Sequence, residues 1–304
     1  MTLDQLRIFL AVAEMQHVTR AAQRLNMTQS AVSAAISTLE DRHGVALFDR
    51  VGRRIALNAA GALFVEEARR VLDVARRAEG ALADLSGVPS GRLRISASQT
   101  VASYWLPAIL VRYGARFPKV DLQLSAGNTA TVTEDVREGR ADIGFVEGRP
   151  QPDKLLKDVV ARDRLVLIVG PDHPWSDGRN VHLRDLAQTS WIMREAGSGT
   201  RAAFTEELES LGLSPSALSV TMELPSNEAC LAAVEAGQGA TVLSRRAALA
   251  HLAGGRLREV RFRLALRHFT ALRHPDRHPS LALRELLANL GSSGSTGPAE
   301  MPIS

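Results

Sequence analysis

The chain has 304 residues, of which 45% are hydrophobic and 23% charged, and its formal net charge at pH 7 is +4. This length allows two or three compact units with their own cores, and the composition excludes a disordered or fibrous chain. The mildly basic balance, with a pI of about 9.8, is compatible with nucleic acid binding without requiring it.

The single cysteine, Cys230, excludes an internal disulfide bond. Because it lies in the helical pattern NEACLAAVEAG, we expect it to be a buried structural thiol. No apolar run is long enough to span a bilayer, and no secretion signal is evident. The expected location is therefore the cytoplasm, without membrane contact.

The N-terminal region predicts a helix over residues 3–15, followed by two short helices joined by a tight turn. Thr19 is the predicted N-cap of the first short helix, and Asn26 tolerates the left-handed conformation that ends it. Thr28 is the predicted N-cap of the second short helix, which places one row of apolar residues inward. That inner row consists of Ala31, Val32, Ala35, Ile36 and Leu39.

The opposite face of the second short helix carries small, uncharged side chains. Such a face lets the helix enter a DNA major groove and read base edges at close range. A Gly-containing hairpin follows, a wing, whose arginines can bind phosphates or the minor groove. The predicted DNA-binding residues are Thr28, Gln29, Ser30, Ser33, Ala34, Ser37, Arg50, Arg53 and Arg54. Two helices and a turn alone are equally typical of a small helical core domain with a solvated arginine-rich loop.

Residues 60–86 predict one long helix whose apolar residues are spaced alternately by four and three. This heptad seam consists of Phe64, Ala68, Val71, Ala75, Ala78, Leu82 and Leu85. A lone helix cannot bury such a seam, so it packs either on its own chain or on a second copy. We favour a dimer, because two DNA-binding heads then meet a pseudo-palindromic site.

Together these patterns resemble the winged helix-turn-helix of the LysR-type transcriptional regulators. The resemblance is carried by Leu6, Phe9, Ala21, Ala22, the run QSAVS at residues 29–33, Ile36, Leu39, Glu40, Gly44, Leu47, Phe48, Arg50 and the run LNAAG at residues 57–61. It implies a regulator that binds double-stranded promoter DNA as a homo-oligomer, a dimer or tetramer, with RNA polymerase as a candidate further partner. Family members often carry a long polar residue where this chain has Ala34 and Ala35, which leaves the operator sequence open.

After a linker at residues 87–91, strands and helices alternate, which is typical of parallel sheets with right-handed crossovers. The predicted strands are residues 92–98, 120–126, 141–147, 165–170, 191–194, 219–224, 240–244 and 268–273. The predicted helices are residues 104–117, 129–138, 183–187, 200–211, 227–236 and 279–290.

This alternation is similar to the effector domain of LysR-type regulators, an α/β fold of two Rossmann-like lobes resembling a type II periplasmic binding protein. The resemblance runs to about residue 290 and implies hinge strands near residues 158–167 and 268–273, with a ligand between the lobes. The predicted domains are residues 1–59 for the all-α winged helix-turn-helix, 60–90 for the dimerisation helix and hinge, and 91–290 for the effector domain. Lobe I is expected at residues 91–161 and 268–290, lobe II at residues 162–267, and a disordered tail at residues 291–304.

Three segments fit a ligand site, because ligands of such sheets bind beyond the carboxyl ends of strands, at helix N-termini. They are Ser98-Gln99-Thr100, Asn128-Thr129 and Gly197-Ser198-Gly199-Thr200. The third favours a small anion, because its glycines allow close approach and its hydroxyls can donate hydrogen bonds. Each segment is also typical of a plain helix cap. Glu147 either positions an amine or orders its loop, and it is equally typical of a solvated carboxylate at the end of a strand.

The pattern GNT…ADIGFVEG with REAGSGTR resembles LysR-type regulators of sulfur assimilation, sulfite response and carbon fixation. That resemblance implies a small oxyanion or phosphorylated metabolite as effector, and we expect no cofactor and no metal. The prediction is a transcription factor whose promoter binding or DNA bending responds to a small anionic metabolite.

Two other function classes are less well supported. An enzyme could hold a substrate phosphate at the Gly-Ser-Gly-Thr loop, but the loop lacks the lysine of a P-loop. No base partner for Ser198 is evident in the sequence either. An architectural DNA-binding protein would not need a two-lobed module with a cleft.

Overall fold

The computed structural model describes residues 1–51, 54–148, 154–237 and 239–293. The chain divides into two compact units, of which unit 1 is Met1–Ser86 and unit 2 begins at Gly87. Each unit has its own hydrophobic core. Within the described ranges, no helix is both long enough and apolar enough to cross a membrane.

Unit 1 is a helical domain with a two-stranded hairpin. Its elements are α1 (Leu3–Met15), α2 (Val18–Arg24), α3 (Gln29–His43), β1 (Phe48–Val51), β2 (Arg54–Leu57) and α4 (Ala59–Asp84). The two strands pair antiparallel, with Phe48 opposite Leu57. The predicted helix-turn-helix and wing are therefore confirmed.

The turn chemistry of unit 1 agrees with the sequence except at one cap. The Thr28 hydroxyl accepts from the amide of Ala31 at 3.2 Å, and Asn26 adopts a φ of 53°. The predicted cap at Thr19 is wrong, because α2 already begins at Val18 and its N-cap residue makes no side-chain hydrogen bond. Ala31 is also exposed rather than inward, since α3 turns only Val32, Ile36 and Leu39 fully into the core.

The core of unit 1 joins α1 to the hairpin and to α4. The Phe9 ring lies 5.5 Å from the ring of Phe48 and 5.0 Å from that of Phe64. At the entry to the hairpin, a carboxylate oxygen of Glu40 accepts from the amide of Leu47 at 2.7 Å. Through this hydrogen bond α3 fixes the start of the wing.

The predicted heptad seam on α4 is buried only at its N-terminal end. Ala68 is fully buried, and Phe64 packs against the same core. Farther along, Val71 and Leu82 are 39% and 71% exposed, and Leu85, just beyond the helix, is 83% exposed. The C-terminal half of this helix therefore presents an apolar stripe that unit 1 does not cover.

Unit 2 is an α/β domain. Its strands are β3 (Gly91–Ser98), β4 (Val120–Gly127), β5 (Ile143–Glu147), β6 (Leu156–Val169), β7 (Ser190–Arg194), β8 (Ser219–Leu224), β9 (Ala240–Ser244), β10 (Arg258–Glu259) and β11 (Leu266–Arg273). Its helices are α5 (Gln99–Tyr104), α6 (Leu106–Arg116), α7 (Thr129–Arg137), α8 (Gly199–Ser210), α9 (Asn227–Ala236), α10 (Arg245–Ala253) and α11 (Leu281–Ser293), with short 3-10 turns at Leu183–Gln188 and Pro215–Ala217.

The strand order β4-β3-β5-β11-β6-β9-β7-β8 divides unit 2 into two lobes. In lobe I, β3 pairs parallel with β4 and β5; in lobe II, β7 pairs parallel with β8 and β9. The antiparallel pair β6 and β11 joins the lobes. Lobe I packs around Phe145 and Phe269, and lobe II around Trp191 and Phe204. The predicted two-lobed α/β fold is confirmed.

Several predicted boundaries in unit 2 are wrong. The helix predicted at residues 104–117 is two helices, because the backbone of Trp105 leaves the helical region and Pro107 starts a new helix. The first of them begins at Gln99, directly after β3. The strand predicted at residues 165–170 starts at Leu156, and α10 was not predicted at all.

Candidate functional site

The outer face of α3 is open to solvent. All the predicted base-reading residues on it are exposed, namely Thr28, Gln29, Ser30, Ser33, Ala34 and Ser37. Two of them also serve the helix itself, since the Thr28 and Ser30 hydroxyls lie 3.1 Å apart at its N-terminus. The Ser37 hydroxyl donates to Asp41 at 3.3 Å. The face is therefore small, polar and accessible, as a groove-reading helix requires.

The predicted wing arginines lie in or beside the hairpin. Arg50 is on β1, opposite Ile55, and Arg54 is on β2, opposite Val51. Arg53 lies outside the described residues. Phosphate binding by these three arginines stays a prediction.

In unit 2, the N-terminus of α8 in lobe II meets the end of β5 in lobe I. A Cβ atom on Gly199 would lie 2.5 Å from the carbonyl oxygen of Glu147 and 2.5 Å from the hydroxyl of Thr129. Likewise, a Cβ atom on Gly197 would lie 3.1 Å from the side-chain nitrogen Nδ2 of Asn128. The glycines of the Gly-Ser-Gly-Thr loop therefore bring two predicted ligand segments together.

Thr200 is the central hydroxyl of this contact between the lobes, which we call the cleft. It is fully buried, donates to Oε1 of Glu147 at 3.3 Å and accepts from Nη1 of Arg267 at 2.9 Å. Glu147 and Arg267 are themselves 3% and 5% exposed. One hydroxyl thus connects a buried carboxylate of lobe I to a buried guanidinium.

The sequence did not predict Arg267. Its Nε donates to Oδ2 of Asp163 at 2.7 Å, and the two residues lie opposite each other on β11 and β6. The Ser244 hydroxyl donates to the other oxygen of Asp163 at 2.7 Å. Asp163 therefore balances the charge of Arg267 and fixes its orientation.

Four buried polar atoms around the cleft have no hydrogen-bond partner among the described residues. They are Ser98 Oγ, Thr129 Oγ1, Glu147 Oε2 and Arg267 Nη2. Thr129 and Glu147 both lie beside Gly199, Arg267 is joined to Glu147 through Thr200, and Ser98 ends β3, the strand between β4 and β5. Buried polar groups are nearly always hydrogen-bonded, so unpartnered ones at this end of the sheet mark a place where a bound molecule can pair with them. The cluster holds both donors and an acceptor.

Two other predicted ligand residues, Asn128 and Ser198, act as helix caps. The Asn128 side chain caps α7 by accepting from the amide of Thr131 at 3.0 Å. The buried Ser198 hydroxyl caps α8 through the amide of Arg201 at 3.5 Å. A ligand role for either residue stays a prediction, since capping accounts for both positions.

A second contact between the lobes joins α5 to the start of α9. The Gln99 side chain accepts from the amide of Asn227 at 2.8 Å and donates to Glu228 at 3.2 Å. The Tyr104 hydroxyl donates to Glu228 at 2.7 Å, and Asn227 donates to the Thr100 hydroxyl at 3.2 Å. Burial and the Glu228 carboxylate raise the pKa of Tyr104, so this phenol stays protonated and donates. Ligand binding by Gln99 or Thr100 stays a prediction.

Cys230 is the buried thiol that the sequence predicts. It is fully buried on α9, and burial raises its pKa to about 11. A protonated, inaccessible thiol is a poor nucleophile at neutral pH.

Two family models match the chain. Residues 3–62 match the "Bacterial regulatory helix-turn-helix protein, lysR family", and residues 86–294 match the "LysR substrate binding domain". The first match covers the helix-turn-helix and wing, and the second covers both lobes of unit 2. Both models describe parts of transcriptional regulators rather than enzymes.

Individual relatives agree with these matches. The Escherichia coli K12 protein YeiE, described as an uncharacterized HTH-type transcriptional regulator, is 38% identical over 289 residues, covering 94% of this chain and 96% of YeiE. Full-length CbnR complexed with its target DNA has a TM-score of 0.70 at 21% identity and covers 97% of this chain and 99% of CbnR. The CcmR regulatory domain of Synechocystis PCC6803, in complex with 2-PG, has a TM-score of 0.63 at 25% identity, covering 69% of this chain and all of that domain.

Proposed function

The chain belongs to the LysR family of DNA-binding transcriptional regulators, and we propose that a small anion bound between the lobes of unit 2 controls its action on promoter DNA. The main observation in favour of an anionic ligand is the buried guanidinium of Arg267, whose Nη2 has no partner among the described residues. Charge-assisted hydrogen bonds from such a group favour an anion over a neutral ligand. The complex of CcmR with 2-PG supports a small molecule in a domain of this fold.

The groups around Arg267 fit the same ligand. The Ser98 and Thr129 hydroxyls can donate to its oxygens, and the N-terminus of the twelve-residue helix α8 packs beside Glu147 and Thr129. Asp163 compensates part of the arginine charge and Glu147 adds a second buried carboxylate, so the site favours a small anion of low charge.

The anion is tested by a thermal-shift screen of the full chain. The panel comprises sulfite, sulfate, thiosulfate, phosphate, phosphorylated sugars and short carboxylic acids. A ligand at about 100 times its Kd stabilises the folded state by about 2.7 kcal/mol. We expect Thr200→Ala and Ser98→Ala to abolish the shift, because they remove hydroxyls from the cleft. A shift that survives both variants would place the ligand elsewhere.

The second part of the proposal is that the exposed face of α3 reads operator bases while the wing arginines bind phosphates. Ser33 lies on that exposed face. We expect Ser33→Phe to clash in the major groove and to reduce specific binding far more than non-specific binding, which depends on phosphate contacts. Gel-shift titrations with operator and with random DNA of equal length test this. An equal loss on both DNAs would contradict the recognition-helix assignment.

We propose that the working form is a dimer through α4, or a tetramer, so that two or more heads bind bent or bendable promoter DNA. Lobe closure on the anion would then change the geometry between heads. A coupling free energy of about 1–3 kcal/mol between the ligand and DNA sites would be enough to switch a promoter.

A further inference from the structure

The Glu147 carboxylate places a chemical requirement on any anion in the cleft. Glu147 ends β5 and is 3% exposed, and its Oε1 accepts from Thr200 at 3.3 Å. Its Oε2 is buried without a partner among the described residues. A buried carboxylate oxygen is costly unless it accepts a hydrogen bond or faces a cation.

The nearby protein donors make no hydrogen bond to Oε2 among the described residues. The Thr200 hydroxyl is used on Oε1, and the Arg267 guanidinium donates to Asp163 and to Thr200. Thr129 is the remaining hydroxyl beside Gly199, and its oxygen makes no hydrogen bond to Glu147. Arg267 Nη2 is unpartnered too and makes no hydrogen bond to Oε2, so Oε2 has no donor among the described residues and a ligand can supply one.

We propose that the cleft selects an anion that carries its own hydrogen-bond donor. Its acceptor oxygens would bind Arg267 Nη2 and the Ser98 hydroxyl, and its donor would bind Glu147 Oε2. The Thr200 hydroxyl lies 2.9 Å from Arg267 and 3.3 Å from Glu147, so donor and acceptor must be close together on a small ligand. This inference rests on the proposed anion site and adds its selectivity.

Phosphate and sulfate distinguish the need for acceptor oxygens from the need for a hydrogen-bond donor, because the two ions have nearly the same size and shape. In mildly alkaline buffer hydrogen phosphate is a dianion like sulfate but keeps one O–H group, whereas sulfate keeps none and would set a charged oxygen against the Glu147 carboxylate. A hydrogen bond to a charged group predicts that phosphate binds about 10- to 100-fold more tightly than sulfate. Glycine and acetate form a second pair with the same carboxylate, in which glycine, a zwitterion, adds an ammonium group as the donor.

The test is isothermal titration calorimetry of the full chain with these four probes. We expect phosphate to bind more tightly than sulfate if the donor is an acid proton, or glycine more tightly than acetate if it is an amine. Sulfate binding as tight as phosphate, together with acetate binding as tight as glycine, would overturn the inference and leave the anion site standing. No binding by any probe at millimolar concentration would contradict the anion site itself.

The Glu147→Gln variant assigns the selectivity to this side chain. Glutamine keeps the size, removes the charge and offers an amide donor, so the preference of phosphate over sulfate should fall toward one. Glu209→Gln is the matched control, because it removes the same charge from the exposed side of α8. A preference that is unchanged in Glu147→Gln would overturn the assignment. The wild-type comparison decides the inference even if this variant does not fold.

Discussion

At the scale of single residues, the packing of lobe I on lobe II depends on the absent side chain of Gly199. A Cβ atom there would lie 2.5 Å from both the Glu147 carbonyl oxygen and the Thr129 hydroxyl, and 3.0 Å from Cγ of Glu147. Contacts this short force the backbone apart. The start of α8 would then move away from the unpartnered polar atoms of the cleft.

We therefore expect Gly199→Ala to weaken anion binding at least tenfold and to destabilise unit 2 by about 1–3 kcal/mol. Calorimetry with the anion and thermal unfolding measure the two effects. Gly114→Ala is the matched control, because a Cβ atom there meets only Leu122 at 3.6 Å, an ordinary contact. Anion binding that is equal in both variants would show that the absent side chain of Gly199 does not determine the geometry of the cleft.

The cleft residues at helix starts could be predicted from the sequence, whereas the cleft arginine on β11 could not. Ser98, Thr129 and Thr200 lie at or next to the point where a strand or loop gives way to a helix, and such positions follow from local pattern. Arg267 lies in the stretch RFRLALRHF, where arginines at short intervals are typical of solvated residues. Only the pairing of β11 with β6 brings it to Asp163, 104 residues away. Long-range pairing of this kind leaves no local signal.

At the scale of elements, the bounds of α9 and β8 could be predicted to the residue, because caps and alternating apolar residues mark them. The first half of β6 could not be predicted from local pattern, although the family resemblance implied a hinge strand near residues 158–167. Its burial pattern is largely exposed until Asp163, so the stretch lacks the apolar alternation of a half-buried strand. Backbone pairing with β11 supplies what the local sequence does not.

The long helix α4 carries the clearest element-level prediction. Its apolar stripe includes Val71 and Leu82, which are 39% and 71% exposed in the single chain. If the stripe is the dimer seam, Leu82→Glu places two charges in an apolar interface, and the dimer should dissociate. Sedimentation equilibrium at micromolar concentration measures the mass.

Gly80→Glu provides a charge-matched control for that experiment. It adds the same carboxylate two residues earlier, on the other side of α4, and a Cβ atom there meets no atom within 4 Å. We expect this variant to keep the wild-type mass, with a slightly more stable helix. A Leu82→Glu variant that remains dimeric would place the dimer contact elsewhere.

At the scale of the whole effector unit, lobe I and lobe II meet on two sides of the cleft. One contact is the buried bond between Thr200 and Glu147, and the other joins Gln99 and Tyr104 to the start of α9. The first includes Glu147 and Thr200 and adjoins Arg267, whereas the second begins one residue after the proposed ligand group Ser98, and its own Gln99 and Tyr104 side chains hold no unpartnered polar atom. The α5–α9 contact can therefore set how readily the lobes close without touching the anion.

Tyr104→Phe tests this separation of roles. The variant removes the hydrogen bond to Glu228 and should lower the population of the closed arrangement, so the apparent affinity for the anion falls about three- to tenfold. Tyr113→Phe is the control, because its hydroxyl donates to Ala282 at 2.7 Å entirely within lobe I. It should lower the unfolding temperature and leave the affinity unchanged. Calorimetry gives the affinities. Small-angle scattering of the full chain, with and without the anion, reports closure. An equal loss of affinity in both variants would mean that general destabilisation, rather than lobe closure, controls binding.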